Sequence, residues 1–269
     1  MNALVYLDTD AFHRIGQTFR LRPLAADLHG KILLSPITAL EVFSHLTVKR
    51  GDEVLDQIKQ IRNWVNPNRA EVLPWPDAAI SHLGFNIPVS DDSFTQQIQH
   101  AVDVCLEADS VIDVLDSASK LKKALDAVKD ASAGQFKTLI DLYRREPLIG
   151  SRFDEVWIAG LTQRIRIPID TRPRAQVASA LSAYYHFEKE KLIVAGQNLN
   201  YDPYKHKNDL LDSEQLVYLG DPALHFLTCD GGFGRRTKNS SQHGRIHRIS
   251  PRSFEDPHNM EEILRRITR

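Results

Sequence analysis

The stretch that decides the fold is NDLLDSEQLVYLGDPALHFLTCDGGF, residues 208–233. Asp209 and Asp212 are three residues apart, so a helix at this point places both carboxylates on one face. The apolar run from His225 to Thr228 predicts a buried strand, and Asp230 lies just past it, two residues after Thr228. The stretch therefore predicts a short acidic helix that leads into a strand whose carboxyl end carries another acid.

Two further strands are predicted close to the opposite ends of the chain. The run from Ala3 to Leu7 predicts a buried strand that ends at Asp8, and Asp10 lies two residues further on. Ile246 to Ile249 predicts the last strand, which ends before Pro251 because proline cannot donate a backbone hydrogen bond. Residues from both ends of the sequence are therefore expected to share one sheet.

Another strand, Ile32 to Leu34, leads directly into a predicted helix. Ser35 is a favourable N-cap and Pro36 is a favourable first helical residue, so the helix should run from Pro36 to about Lys49. Glu41 then lies in the second turn of that helix. Because strands alternate with helical segments, the sequence predicts an α/β fold with a central, mostly parallel sheet flanked by helices.

The middle of the chain has a different pattern, in which apolar residues recur at helical spacing. One clear series is Val111, Leu115, Ala118, Leu121, Leu125 and Val128. We therefore predict two units: a core formed by residues 1–50 and 200–269, and a helical lobe formed by residues 51–199. The lobe is inserted between the two parts of the core.

Composition limits the classes of function. The 269 residues carry a formal net charge of −1, so any surface that binds nucleic acid must be local. The stretch from Gly231 to Arg269 is such a place, with nine Lys or Arg against four Asp or Glu. Two cysteines suggest a reducing compartment and disfavour a cysteine-rich zinc site. No apolar run is long enough to span a membrane and no signal-peptide pattern is present, so we expect a cytoplasmic protein.

The acids of these segments are expected to converge, because ligands bind at the carboxyl ends of parallel strands in open α/β sheets. Sites built only from carboxylate oxygens suit hard cations such as Mg²⁺ or Mn²⁺. Each acid alone has an ordinary explanation as a helix cap, a turn residue or a solvated helix-face residue. The prediction of a metal site therefore depends on the ordered set of acids.

The order of these residues resembles that of the PIN-domain nucleases, which include the VapC-type toxins of bacterial toxin–antitoxin pairs. The similarity covers about residues 1–50 and 205–250, and 167 residues lie between Glu41 and Asp209, far more than a compact PIN core needs. The resemblance implies binding of Mg²⁺ or Mn²⁺ and hydrolysis of RNA. It assigns catalysis and metal binding to Asp8, Glu41, Asp212 and Asp230, metal binding also to Asp209, and accessory roles to Thr228 and Asp10.

RNA is the substrate that this hypothesis implies, and an inhibitory protein partner and a homodimer are further expectations. The candidates for contacts with RNA phosphates are Lys205, Lys207, Arg235 and Arg236. His45, four residues after Glu41, is a candidate general base. Gly231 to Gly234 is predicted to form a flexible turn beside the site.

Two other functions are kept as alternatives. The sequence Asp8-Thr9-Asp10 resembles the paired aspartates of haloacid-dehalogenase-type phosphatases, although Ala11 and Phe12 follow where that family has Gly-Thr. A PIN-like core that serves as a non-catalytic RNA- or protein-binding module is the other alternative. The retained acids argue against such a module, because clustered carboxylates are costly when no cation is held.

Overall fold

The computed structural model describes residues 3–47, 50–62, 72–88, 93–146 and 152–269. Within these ranges a four-stranded sheet is formed by β1 (Leu4–Leu7), β2 (Ile32–Leu33), β3 (Leu224–Thr228) and β4 (Ile246–Arg248). The strand order is β2-β1-β3-β4, and every pairing is parallel. The predicted α/β fold with a parallel sheet is therefore confirmed, and its likeness to the PIN fold stays a prediction.

The helices of the described residues lie before, between and after these strands. They are α1 (Thr9–Thr18), α2 (Pro36–Ser44), α3 (Gly51–Arg62), α4 (Pro76–Ala79), α5 (Ser93–Glu107), α6 (Leu115–Arg145), α7 (Phe153–Arg164), α8 (Arg174–Ala180), α9 (Ser182–Gln197), α10 (Lys207–Asp212), α11 (Gly231–Arg236) and α12 (Pro257–Thr268). A 3₁₀ helix, Ser213–Gly220, continues directly from α10 and leads into β3. None of the helices that the structure describes is both long and apolar enough to cross a membrane.

Two apolar cores cover the two faces of the sheet. On β1, Val5 and Leu7 belong to the first core, which includes residues of α1, α2, α3, α5 and α12. Leu4 and Tyr6 belong to the second core, with residues of α7, α8, α9 and the 3₁₀ helix. Alternate residues of a strand point to opposite faces, and a parallel sheet needs apolar cover on both. Helices from the middle of the sequence supply both cores, and the division into a core and a lobe stays a prediction.

Helix α6 connects the two cores. It has 31 residues, which at the usual rise gives a length of about 46 Å. Leu121 and Leu125 belong to the first core, whereas Phe136 and Ile140 belong to the second. Lys129 lies between these two groups on the same buried side of the helix. Helix α6 therefore carries a buried lysine at the point where it passes from one core to the other.

Two local expectations are wrong. Helix α2 ends at Ser44 rather than near Lys49. The chain tightens there into a 3₁₀-type turn, in which His45 N donates to Val42 O at 3.0 Å. Residues 48 and 49 lie outside the described ranges. Asp212 is the last residue of α10 and the N-cap residue of the 3₁₀ helix that follows. Residues 231–234, expected as a flexible turn, belong to α11, because the Asp230 carboxylate caps that helix.

Candidate active site

Asp8 is held rigidly at the carboxyl end of β1. It is the N-cap of α1, and its Oδ1 accepts from Ala11 N at 2.7 Å. Its Oδ2 accepts from the Thr228 hydroxyl and from Cys229 N, so that the ends of β1 and β3 are joined. Burial raises the pKa of Asp8 to about 6, although the hydrogen bonds that it accepts act in the opposite direction.

Glu41 lies in the second turn of α2, as predicted. Its Oε2 accepts from the Thr9 hydroxyl at 2.5 Å, and its Oε1 lies 3.2 Å from Lys129 Nζ. Lys129 is only 7 % exposed. Helix α6, from the middle of the chain, therefore places the buried ammonium group of Lys129 beside Glu41, an acid of the predicted site.

Asp212 is the acid on which the negative charges converge. Burial is the largest of the causes that raise the pKa of Asp212 to about 7, and the next largest are the carboxylates of Glu41, Asp209 and Asp230. Lys191 acts in the opposite direction. Acids from α2, from α10 and from the second residue after β3 therefore lie close enough to Asp212 to oppose its ionisation.

Asp230 is exposed, and its Oδ1 accepts from Gly232 N at 2.7 Å. Asp10, predicted as an accessory residue, is also exposed and pairs with Arg14 at 3.0 Å. The structure thus places Asp230 among the acids that act on Asp212. Asp10 pairs within its own helix, and its charge is also one of the causes that raise the pKa of Asp8.

A buried polar network fixes α2, which carries Glu41, and the 3₁₀ helix that follows Asp212. Ser35 Oγ caps α2 by accepting from Thr38 N at 3.0 Å, and it donates to Gln215 Oε1 at 2.6 Å. Gln215 Nε2 donates to Thr38 Oγ1 at 3.0 Å, and Thr38 Oγ1 donates to Leu7 O at 2.7 Å. Buried polar groups are costly unless they are paired, so this network specifies one arrangement of β1, α2 and the 3₁₀ helix.

Arg164 of α7 also holds the segment that follows Asp212. It donates to both carboxylate oxygens of Glu214, at 2.7 and 3.0 Å, and it also pairs with Asp77. Glu214 lies two residues after Asp212 and is almost fully buried. A two-pronged guanidinium–carboxylate contact restricts orientation as well as distance, so α7 orients the segment that follows Asp212.

Lys191 is a second buried lysine beside the acids. It donates to the Ser213 hydroxyl at 3.1 Å, pairs with Glu188, and lies 4.9 Å from the ring centroid of Phe136. The sequence analysis identified neither Lys129 nor Lys191. For Lys129 a signal was present, because the residue falls four positions after Leu125 and so continues the apolar stripe of α6.

The predicted RNA-binding residues are arranged unequally. Lys205 and Arg235 are exposed. Lys207 pairs with Asp130 of α6 at 2.9 Å, and the guanidinium of Arg236 lies 4.9 Å from the ring centroid of Phe187. Two of the four cations are therefore held by other side chains of the chain.

A cleft of about 310 Å³ opens beside Glu41. Its walls are formed by Thr9, Glu41, Ser44, His45 and Lys129. The cleft therefore combines hydroxyl groups, an imidazole, an ammonium group and a carboxylate, which together can bind a polar, charged ligand and exchange protons with it.

The described residues include no group of three or more His, Cys, Asp or Glu side chains arranged to hold one metal ion. The acids nevertheless fit Mg²⁺ or Mn²⁺ in their chemistry, since all of them offer carboxylate oxygens. The oxygens of Asp8 and Glu41 are engaged by hydroxyl, amide and ammonium donors of the chain itself. The metal site thus stays a prediction.

Comparisons of the chain with family models, with curated proteins and with solved structures found no match.

Proposed function

We propose that the chain is a divalent-cation-dependent endoribonuclease with a PIN-like core. The observation that carries the proposal is the convergence of Glu41, Asp209 and Asp230 on Asp212, beside the carboxyl ends of parallel strands. Crowded carboxylates are costly unless a cation offsets their charge. Lys129 and Lys191 offset part of this charge, and a bound divalent cation would offset more of it.

The residues that would hold Mg²⁺ or Mn²⁺ are Asp8, Glu41, Asp209, Asp212 and Asp230. Such an ion supplies a lowered pKa for bound water and offsets charge on the phosphate. The chain itself supplies orientation, because Thr228 and Ala11 fix the Asp8 carboxylate. Lys129 places a positive charge in the cleft, where an ammonium group can pair with a phosphate oxygen of RNA.

A non-catalytic PIN-like module is the second candidate. The ion pair between Lys129 and Glu41 favours it, because an acid that is neutralised by a lysine needs no metal ion. The phosphatase alternative receives less support, since Asp10, its candidate general acid, forms an ion pair with Arg14 of its own helix. An inhibitory protein partner and a homodimer stay expectations of the family resemblance.

The test is cleavage of a labelled single-stranded RNA in Mn²⁺ by purified wild type, Asp230→Asn and Asp170→Asn. Asn remains a good N-cap, so Asp230→Asn should keep α11 while weakening a cation ligand. Asp170 is exposed and far along the sequence from the acids, and it serves as the matched control. We expect wild type and Asp170→Asn to cleave, and Asp230→Asn to lose activity.

Chelation of Mn²⁺ should abolish cleavage by the wild type. Equal rates for Asp230→Asn and the wild type would rule out the assigned acids as the nuclease site. Absence of cleavage by every protein, across several RNA sequences, would favour the non-catalytic module.

A further inference from the structure

Three side chains that the acid cluster does not use form a hydrogen-bonded series beside it. His13 Nδ1 lies 2.7 Å from Gln57 Oε1, and His13 Nε2 lies 2.9 Å from His45 Nδ1. The two imidazole rings are stacked, with centroids 5.1 Å apart. His45 also lines the cleft that contains Glu41 and Lys129. The series therefore runs from the buried side of α3, across α1, to the candidate active site.

The hydrogen-bonding groups fix where the protons are. Gln57 Oε1 can only accept, so His13 Nδ1 carries a proton and donates it. In a neutral imidazole the other nitrogen is then an acceptor, so His13 Nε2 accepts from His45 Nδ1. His45 Nδ1 therefore carries the proton of the neutral ring, and His45 Nε2 is left with a free lone pair.

The fold makes room for this series. Gln57 is only 4 % exposed, although its side chain is polar. A Cβ atom at Gly16 of α1 would lie 2.8 Å from Gln57 Cγ, which is closer than such atoms approach. The glycine therefore leaves the space that Gln57 occupies on its way to His13. Gln57 is thus a buried amide that reaches His13 across Gly16. Burying this amide would cost free energy if it were unpaired, so its hydrogen bond to His13 is a specific arrangement.

We propose that His45 is the general base of the site, and that His13 and Gln57 are positioning residues which hold it in the required tautomer. This inference depends on the proposed nuclease function. In the step, an O–H bond of water breaks and its proton goes to His45 Nε2. The water oxygen forms a bond to phosphorus while the bond from phosphorus to the leaving oxygen breaks, and the leaving oxygen takes a proton from solvent.

The charged groups around His45 favour the neutral ring that a base needs. Partial desolvation lowers the pKa of His45, although much of the side chain is exposed, and His13, Lys129 and Lys122 act in the same direction, whereas Glu41 opposes them. His45 is therefore unprotonated at neutral pH and able to accept a proton.

The test compares RNA cleavage in Mn²⁺ across pH for the wild type and three variants. His45→Gln removes the base, Gln57→Glu keeps an acceptor for His13 while adding charge, and His82→Gln changes an exposed histidine as the control. We expect His45→Gln to lower kcat about 100-fold or more, with little change in KM. Gln57→Glu should move the acid limb of the pH profile of kcat to higher pH by about one unit. The reason is that a carboxylate at position 57 stabilises the protonated form of the coupled imidazoles of His13 and His45.

An unmoved limb would overturn the proposal, because it would show that a charge at position 57 does not act on the base through His13. Equal kcat for His45→Gln and the wild type would overturn it as well, while leaving the proposed nuclease function intact. If no protein cleaves RNA, both proposals fail together. Nitrogen-15 NMR of the imidazoles gives a readout that needs no activity: a proton on His45 Nε2 in the neutral ring contradicts the assigned tautomer.

Discussion

At the scale of single residues, the site is distinguished by an acid that is hard to ionise. In the folded chain the pKa of Asp212 is about 7, whereas an unfolded aspartate has a pKa of about 3.8. The folded state therefore retains a proton that the unfolded state has released. This stabilisation is fully present below the unfolded pKa and is lost as pH rises through the folded pKa.

We therefore expect Asp212→Asn to stabilise the metal-free protein at pH 8. Asparagine cannot ionise, so the variant avoids a repulsion that the wild type meets at that pH. The gain in the free energy of unfolding should be about 1–3 kcal/mol, after allowance for solvent, and should largely vanish at pH 4. Urea titrations with a chelator at both pH values measure it. A variant that is less stable than the wild type at both would show that the acids do not repel one another.

At the scale of an element, α6 is part of the site and not only of the fold. It supplies apolar residues to both cores, and between them it places Lys129 against Glu41. The next residue, Asp130, pairs with Lys207 at the start of α10. Adjacent residues of one helix therefore contact both helices that carry the acids.

Removal of the Lys129 ammonium should leave Glu41 partly buried without its cation. We expect Lys129→Met to lower the free energy of unfolding by about 2–4 kcal/mol at pH 8, and Glu41→Gln in the same chain to restore part of that loss. Lys122→Met, at an exposed position of the same helix, is the control. Urea titrations of the wild type, Lys129→Met, Glu41→Gln and the double variant form a double-mutant cycle, and Lys122→Met is measured beside them. Additive losses would show that the ion pair contributes nothing to stability.

At the scale of the whole molecule, a cation that binds only the assembled site should stabilise the fold. In the absence of metal the acids repel one another, and Mn²⁺ should offset that repulsion by about 2.7 kcal/mol at a hundredfold excess over its Kd. We expect the Tm of the wild type at pH 8 to rise by several degrees with Mn²⁺, and the Tm of Asp8→Asn to rise less. Equal shifts for the wild type, Asp8→Asn and the control Asp170→Asn would indicate a cation site elsewhere.

Much of the sheet could be predicted from sequence, because a buried parallel strand is a local apolar run with a clear end. The Ser35-Pro36 start of α2, and with it the position of Glu41, is equally local. The path of α6 across both faces could not be predicted, since helical spacing shows which side of a helix is apolar but not what covers it. The hydrogen bonds that link Gln57, His13 and His45 could not be predicted either. They join α3, α1 and the end of α2, and the spacing of apolar residues does not determine how these helices pack.

The pairing of β1 with β3 has a consequence for the chain during synthesis. Asp8 and Thr228, which join the ends of these strands, are 220 positions apart. A nascent chain therefore carries β1 without this neighbour until more than 200 further residues have been translated. Domains form as units during synthesis at about 5–20 residues per second, and distant pairings form late. If the chain cuts RNA, the ribosome and message that produce it are exposed to its site only after residues 224–228 have been translated and paired with β1.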